Sequence, residues 1–360
     1  MRTREHLDAV IKAYDVRGVV GEDIDENFVR DTGAAFAAIL REEGENTVAV
    51  GHDMRPSSPS LARAFAEGVT SQGLNVTLLG LTSTDELYYA AGSLECAGAM
   101  FTASHNPAKY NGIKLCRAGA VPVGQETGLE QIKQMLIDGT PEFTGTEGAI
   151  AEQEILAGYA DFLRKLVPLE DSKPLVVAVD AANGMGGHTV PAVFNGLPFD
   201  VRDLYFELDG TFPNHEANPL DPKNLVDLQK FTVDQKADIG LAFDGDADRC
   251  FVVDEKGQPV SPSAICALVA ERYLEKFPGA TIIHNLITSK TVPELIKEKG
   301  GTPVRTAWAT PSSRRRWPST RPPSAASTPR TTTSRSSGTP IPACLLRCTF
   351  WPHWASPISR

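Results

Sequence analysis

The sequence predicts an α/β protein whose domains follow one another along the chain, and two observations predict this class. Short apolar runs with the length of buried strands occur at 47–51, 75–79, 175–180 and 239–243. Between them lie segments whose apolar residues recur at helical spacing, as at Leu61, Phe65 and Val69. Strands that alternate with helices build a mostly parallel sheet covered on both faces. We therefore expect residues 1–306 to form successive α/β units.

Loops divide this region into candidate domains. The stretch 139–148 is rich in Gly and Thr, and residues 254–257 form a predicted turn after a strand. These loops predict domains at 1–150 and 151–255, followed by residues 256–306 as the start of a third domain.

Charge and composition limit the classes of partner. The net charge is −10, and residues 1–306 carry −18, because the rest of the chain contains eight Arg and no Asp, Glu or Lys. We therefore expect no nucleic-acid partner, since a phosphate backbone needs a basic face. No apolar stretch is long enough for a membrane span and the N-terminus lacks the order of a signal peptide, so we expect a cytoplasmic protein with no membrane partner. The sequence indicates no obligate protein partner.

An acidic loop follows the predicted strand at 239–243. Asp244, Asp246 and Asp248 stand at every second position, and their oxygens can point at one hard cation such as Mg²⁺. One alternative is a solvated acidic turn with no metal. A second is a calcium-binding EF-hand loop, since Glu255 falls at its twelfth position. However, Arg249 stands where that loop needs Gly, and the flanks have the pattern of strands rather than helices.

A serine turn and two basic segments are the other candidate site elements. The turn T-A-S-H-N-P, residues 102–107, follows an apolar strand at 97–101, so it lies where open α/β sheets bind ligands. Arg17 stands directly before Gly18, and a second segment that contains an arginine follows at 51–56. Lys114 comes directly after a turn. Taken alone, the first is an ordinary polar turn, and lone Arg and Lys residues are usually solvated.

Together these segments resemble the α-D-phosphohexomutase family. The motifs A-Y-D-V-R-G, T-A-S-H-N-P, N-G-I-K and D-G-D-A-D-R occur in the family's order and spacing, and the resemblance covers residues 1 to about 306. It implies a phosphoserine domain at 1–150, a metal-binding domain at 151–255 and the start of a sugar-binding domain at 256–306.

The resemblance also implies roles for particular residues. Ser104 would carry a phosphoryl group, and its phosphate would complete the coordination of Mg²⁺ by the acidic loop. Lys114 is the candidate for moving a hydroxyl proton. The implied catalytic residues are Ser104, Lys114 and Arg17, the metal ligands are Ser104, Asp244, Asp246 and Asp248, and the substrate-binding residues are Tyr14, His105, Asn106 and Arg249.

The implied activity is the interconversion of mannose 6-phosphate and mannose 1-phosphate through a bisphosphorylated sugar. A sugar 1,6-bisphosphate would act as activator, and small phosphosugars would be the partners. Two alternatives stay open: the same reaction on glucose or glucosamine phosphates, and a non-catalytic remnant that binds a phosphosugar or a metal.

Residues 307–360 depart from the family pattern. The family continues with a sugar-binding loop of the form G-E-x-S-x-H and then a fourth domain, whereas this segment contains all four Trp and lacks periodicity. A natural disordered tail is one interpretation. We favour a shift of reading frame, because codon degeneracy then permits Gly-Gly-Glu-His-Ser-Ala-His-Tyr-Tyr-Phe opposite residues 325–334. We expect an aberrant, disordered tail, an incomplete third domain, no fourth domain and a chain that is inactive as written.

Overall fold

A computed structural model describes residues 3–306 of the 360-residue chain, so the predictions for 307–360 lie outside the described residues. Helices and strands alternate, as the sequence predicts. The helices are α1 (Arg4–Val10), α2 (Glu26–Glu42), α3 (Ser58–Ser71), α4 (Thr84–Ser93), α5 (Leu129–Asp138), α6 (Leu156–Leu166), α7 (Gly186–Phe194), α8 (Val226–Asp234), α9 (Pro262–Lys276) and α10 (Thr291–Glu298). The strands are β1 (Val16–Val19), β2 (Thr47–His52), β3 (Asn75–Leu81), β4 (Ala97–Phe101), β5 (Tyr110–Arg117), β6 (Val121–Pro122), β7 (Ile150–Glu152), β8 (Leu175–Asp180), β9 (Phe199–Leu204), β10 (Ile239–Phe243), β11 (Cys250–Val253), β12 (Thr281–Asn285) and β13 (Thr302–Thr306).

The first sheet is mixed, with the strand order β1-β5-β4-β2-β3-β7 and β6 paired to β5. The pairs β2–β3, β2–β4 and β3–β7 are parallel, whereas β5 runs antiparallel to both β1 and β4. β5 therefore returns from the turn after β4 and lies beside it. Since β7 begins at Ile150, this sheet crosses the position 150 at which the sequence places a domain boundary.

Helices cover both faces of the first sheet, because alternate strand residues point to opposite sides. On one face, Val48 and Val50 of β2 join a buried cluster with Phe36 of α2 and Phe65 of α3. On the other face, Ala49 belongs to a cluster that includes residues of α4. α2 starts at its N-cap Asp25, whose side chain accepts a hydrogen bond from the backbone of Phe28, and the chain leaves α2 through Gly44 at φ 86°.

Two further sheets follow along the chain. The second has the order β11-β10-β8-β9, in which β8 is parallel to β9 and β10, and β11 is antiparallel to β10. The last is the parallel pair β12–β13, and α9 and α10 supply its small apolar cluster. None of the helices within residues 3–306 combines the length and apolar character needed to cross a membrane.

The carboxyl ends of β4 and β10 lie where the first two sheets come together. β4 leads into the serine turn and β10 leads into the acidic loop. Since both follow the carboxyl ends of strands, their loops can converge on one ligand.

Candidate active site

The serine turn holds Ser104 in a strained conformation. Ser104 has φ 51°, in the left-handed region that costs a residue with a side chain about 1–2 kcal/mol. The backbone N–H of Ser104 donates to Oγ1 of Thr102 at 2.9 Å, and that of Asn106 donates to the carbonyl of Ala103 at 3.0 Å. Ser104 is 2% exposed. Strain of this kind is often found at functional sites.

The hydroxyl of Ser104 lies between a carboxylate and a guanidinium. It donates to Oδ2 of Asp244 at 3.0 Å and accepts a hydrogen bond from Nη2 of Arg249. Nη2 of Arg249 also contacts Nδ1 of His105. Burial and the charges of Arg249 and Arg17 lower the pKa of His105 to about 4, so its ring is neutral and Nδ1 can accept that hydrogen bond. A phosphoryl group on Ser104 would meet a cationic side chain directly.

The acidic loop forms the other wall. Asp244, Asp246 and Asp248 each place one carboxylate oxygen so that the three oxygens lie within 4.8 Å of one another. Asp244 and Asp246 are fully buried, and Oδ1 of Asp246 has no hydrogen-bond partner within the described residues. Oxygen donors with one buried orphaned atom suit a hard cation such as Mg²⁺. The loop lies between the strands β10 and β11, and thus lacks the helical flanks of an EF-hand.

Lys114 joins the acidic loop from the first sheet. Its Nζ lies 2.6 Å from Oδ2 of Asp246 and 2.8 Å from Oδ2 of Asp248. Burial opposes the charge of this ammonium, but the two carboxylates outweigh it and raise the pKa of Lys114 well above its ordinary value. Burial and the carboxylates of Asp248 and Asp246 raise the pKa of Asp244 well above its usual range. For Asp246, burial opposes ionisation, but Lys114 and Thr84 lower its pKa overall.

Arg17 contacts the serine turn through Asn106. Nη1 of Arg17 donates to Oδ1 of Asn106 at 2.9 Å, and its Nη2 pairs with Asp15 at 2.5 Å. Nε of Arg17 is buried without a hydrogen-bond partner within the described residues. Tyr14 stands apart: its side chain is 44% exposed, and no described hydrogen bond between residues 3 and 306 joins it to the cluster.

The serine turn and the acidic loop touch through backbone atoms. A Cβ on Gly245 would lie 2.5 Å from the carbonyl oxygen of Ser104, and one on Gly184 would lie 2.7 Å from the carbonyl oxygen of Gly245. A side chain at Gly245 would force the serine turn and the acidic loop apart, and one at Gly184 would displace the acidic loop. The glycines therefore permit the contact between Ser104 and Asp244.

Some contacts in this region were not predicted from the sequence. The hydroxyl of Thr84 donates to Oδ2 of Asp246 at 2.6 Å, and its backbone N–H donates to the carbonyl of Asp246. The available signal was the sequence S-T-D-E at 83–86, which forms a capping box after β3 and therefore lies at the same edge of the sheet. Asp53 and Arg55, which lie in the segment 51–56, pack directly behind the serine turn.

Two family models match the chain. The α/β/α domain I of phosphoglucomutase/phosphomannomutase matches residues 8–141, and domain II of the same proteins matches residues 157–257. The first match contains the serine turn and the second contains the acidic loop.

Individual proteins are similar over most of the described chain. The phosphomannomutase of Salmonella montevideo is 36% identical over 301 residues, which cover 81% of this chain and 65% of that protein. The phosphoglucomutase of Neisseria meningitidis serogroup B is also 36% identical, over 81% of this chain and 63% of the relative. The chain thus spans slightly less than two thirds of the length of these relatives. A solved phosphoglucomutase/phosphomannomutase family protein from Burkholderia thailandensis has a TM-score of 0.81 and 31% identity, over 88% of this chain and 69% of that one. The chain belongs to the phosphoglucomutase/phosphomannomutase family of α-D-phosphohexomutases.

Proposed function

We propose that this site interconverts phosphosugars by phosphoryl transfer through Ser104, with mannose 6-phosphate and mannose 1-phosphate as the substrates. The observation that carries the proposal is the position of the Ser104 hydroxyl, which lies between Asp244 and Arg249 in a buried, strained turn. Serine is a weak nucleophile and a durable phosphate carrier, so a mutase can use it to store the group between half-reactions.

The proposed reaction consists of two matched transfers. In the first, the bond between phosphorus and Oγ of Ser104 breaks and a bond forms to a sugar hydroxyl oxygen. The sugar hydroxyl releases its proton and Oγ of Ser104 takes one up. The bisphosphorylated sugar then reorients in the site, so that its other phosphate faces Ser104. In the second, its other phosphate forms a bond to Oγ of Ser104, and the freed sugar oxygen takes up a proton. A sugar 1,6-bisphosphate would load the serine for the first turnover, which makes it the activator.

The residues around Ser104 supply charge and position. Phosphoryl transfer depends mainly on positioning and on neutralisation of the phosphate oxygens. Arg249 already contacts Oγ, and Arg17 donates to Asn106 of the same turn. The buried Nε of Arg17 has no hydrogen-bond partner within residues 3–306. His105 is neutral and can accept or donate a hydrogen bond without adding charge.

Asp244, Asp246 and Asp248 would hold Mg²⁺ together with the phosphate on Ser104. The ion would act as a Lewis acid that neutralises charge on the phosphoryl oxygens. Lys114 also pairs with two of these carboxylates, those of Asp246 and Asp248. The orphaned oxygen of Asp246 supports a cation at this position.

Lys114 remains the proposed carrier of the sugar hydroxyl proton. Its Nζ reaches the acidic loop from β5, and Asp244 of the same loop accepts the hydroxyl of Ser104, so a sugar hydroxyl that approaches Ser104 must come to this loop. Because Asp246 and Asp248 raise the pKa of Lys114 well above its ordinary value, Lys114 is protonated and would donate its proton to the departing oxygen. Replacing Lys114 with Arg keeps the positive charge but provides a weaker acid, so phosphoryl transfer should slow while Mg²⁺ binding persists. Equal transfer rates for Lys114→Arg and wild type would contradict the assignment.

The choice of sugar is tested by direct competition. Relatives with phosphomannomutase and phosphoglucomutase names match at the same 36% identity, so identity alone does not separate mannose from glucose. For the chain with its reading frame shifted after codon 306, catalytic efficiencies on the 6-phosphates of mannose, glucose and glucosamine should be highest for mannose. A preference for glucose or glucosamine would assign the chain to the alternative mutase reaction.

A second candidate function is a binding remnant, and the structure offers one observation in its favour. The acidic loop, the serine turn and Lys114 contact one another within residues 3–306, so these contacts could support the binding of a phosphosugar or a metal. The chain with its reading frame shifted after codon 306 should be mixed with a sugar 1,6-bisphosphate and a large excess of mannose 6-phosphate, because the 360-residue chain is expected to be inactive in turnover under either function. Many turnovers per chain support the mutase, whereas one phosphate per Ser104 without turnover supports the remnant.

A further inference from the structure

Arg55 lies directly behind the serine turn and is fully buried, with a side-chain exposure of 0%. It follows β2 in a turn shaped by Asp53, whose Oδ1 accepts the backbone N–H of Arg55 at 3.0 Å and the hydroxyl of Ser58 at 2.6 Å. Oδ2 of Asp53 accepts Nε of Arg55 at 3.1 Å. The carboxylate thus fixes one edge of the guanidinium and leaves its other four N–H bonds to find partners.

All four remaining N–H bonds of Arg55 point at one segment of backbone. Nη2 donates to the carbonyl oxygens of Ser104 at 3.0 Å and Asn106 at 2.7 Å. Nη1 donates to those of Pro107 and Tyr110, both at 3.0 Å. All five donors of the rigid guanidinium group therefore have acceptors, and four of them bind backbone carbonyls of the turn 104–110.

The serine turn needs such support. Ser104 has a positive φ, and strained backbone persists only where the surrounding structure over-determines it. Its carbonyl, which Arg55 holds, also lies against Gly245 of the acidic loop, where an added Cβ would meet the carbonyl oxygen at 2.5 Å. Moving that carbonyl would therefore change both the direction of the Ser104 hydroxyl and the contact between the two loops.

A loop of the second α/β unit covers Arg55 from the other side. The ring centroid of Phe212 lies 5.1 Å from the guanidinium carbon of Arg55. A Cβ on Gly210 would lie 2.5 Å from Cα of Arg55, so this loop packs directly on the backbone there. Water is thereby kept from the hydrogen bonds of Arg55, and they are stronger in this low-dielectric setting than they would be at the surface.

We propose that Arg55, oriented by Asp53, is a positioning residue that holds the Ser104 turn in the conformation from which its hydroxyl exchanges a phosphoryl group. This inference rests on the proposed function for its consequence in catalysis. The contacts of Arg55 with the turn are to backbone carbonyls, and its side chain reaches no reacting atom. Its loss should therefore slow transfer without changing how tightly the phosphosugar binds.

The test compares Arg55→Lys with the matched change Arg41→Lys in the 360-residue chain. Lysine keeps the positive charge but offers its donors from a single nitrogen, which cannot span four carbonyls. Arg41 also donates to a backbone carbonyl, that of Gln72 at 3.1 Å, but it lies on α2 away from the serine turn. Two quantities are measured: the rate at which sugar 1,6-bisphosphate phosphorylates Ser104 in Mg²⁺, over a range of bisphosphate concentrations, and amide hydrogen exchange of the segment 102–112.

For Arg55→Lys we expect the maximal rate to fall about a hundredfold, because displacing a reacting group by about 1 Å can slow a reaction by this factor. The half-saturating bisphosphate concentration should stay unchanged, and exchange should accelerate only in the segment 102–112. Arg41→Lys should match wild type in all three respects. An unchanged rate, an unchanged exchange of the turn, or a loss confined to the half-saturating concentration would overturn the proposal.

Two further outcomes are also decisive. If Arg55→Lys exchanges rapidly throughout, the milder Asp53→Asn replaces it. Asparagine keeps the shape of the side chain but removes the charge and one of the two acceptor oxygens that orient Arg55. A wild-type rate and wild-type exchange of the turn in that variant would overturn the proposal. If wild type is not phosphorylated at all, the proposed function fails. The positioning of the turn by Arg55 is then decided by exchange alone, in which acceleration supports it and no change overturns it.

Discussion

Gly245 is the single residue on which the contact between the acidic loop and the serine turn depends most directly. A methyl group there would meet the carbonyl oxygen of Ser104 at 2.5 Å, and this atom belongs to backbone that Arg55 holds in place. Gly245→Ala should therefore separate Asp244 from Ser104 and reduce Ser104 phosphorylation by about tenfold to a hundredfold.

The control for that change is Gly92→Ala on α4. A Cβ at Gly92 would meet nothing within 4 Å, and alanine in a helix is about 0.5–1 kcal/mol more favourable than glycine. Gly92→Ala should thus keep the wild-type rate and slightly raise the free energy of unfolding. Equal phosphorylation rates for Gly245→Ala and Gly92→Ala would show that the close approach of the loops is not needed.

His215 gives a pH-dependent contribution to stability. Its Nε2 lies 2.9 Å from Oδ2 of the buried Asp180. Burial would lower the pKa of His215, but the hydrogen bond and charge of Asp180 outweigh it and raise the pKa overall. A raised folded-state pKa means that the stabilisation is complete below the unfolded pKa of about 6.5 and is lost as the pH rises through the folded value.

The measurement is the free energy of unfolding of wild type and His215→Gln, taken across this pH range by chemical denaturation. Hydrogen bonds to charged groups contribute about 1.5–3 kcal/mol, so the difference between the two proteins should approach this size in acid and shrink above about pH 6.5. A difference that grows with rising pH would refute the account of this pair.

At the scale of elements, α4 connects the first sheet to the acidic loop. Its N-terminus carries the capping box of Ser83 and Glu86, and Thr84 in the same turn donates to Asp246 at 2.6 Å. Thr84→Val keeps the shape but removes a donor from a buried carboxylate. We expect the free energy of unfolding to fall by about 1–3 kcal/mol.

Thr189→Val is the matched control for Thr84→Val. Thr189 is also fully buried, but the hydrogen bond that its hydroxyl makes within the described residues goes to the carbonyl of Met185, the N-cap residue of α7. Its replacement should cost clearly less than Thr84→Val in the same denaturation experiment. If the two variants lose equal stability, the contact between α4 and the acidic loop contributes nothing specific.

The elements show what local sequence patterns can and cannot predict. The predicted strands at 97–101, 175–180 and 239–243 agree with the observed bounds of β4, β8 and β10, because short apolar runs between turns determine strand type locally. The antiparallel return of β5 was not predicted, since the direction of pairing depends on contacts distant in sequence. Such long-range contacts also place Lys114 between Asp246 and Asp248.

The candidate site was predictable in part for the same reason. Ser104 and the acidic loop each follow a strand, and the carboxyl ends of strands are where ligands bind, so their motifs were visible in sequence. The support behind them was less visible. Arg55 looks like an ordinary loop arginine until the fold brings Ser104 and Tyr110 against it.

At the scale of the whole molecule, the reading-frame interpretation of residues 307–360 stays a prediction from sequence. It expects the 360-residue chain to be inactive in mutase turnover, and it expects a chain with the frame shifted after codon 306 to be active. Turnover of mannose 6-phosphate by both proteins is the measurement, with the nucleotide sequence around codon 306 as an independent check. Comparable rates would show that the frame interpretation is wrong.

The central claim is that Ser104 carries the phosphoryl group between a cation held by the acidic loop and the guanidinium of Arg249. The most direct test incubates the chain with a phosphorus-labelled sugar 1,6-bisphosphate in Mg²⁺ and locates the label by peptide mass spectrometry. The account predicts label on the peptide that contains Ser104, none in Ser104→Ala, and almost none in a folded Asp246→Asn variant. Label on another residue while Ser104 stays unmodified would contradict it.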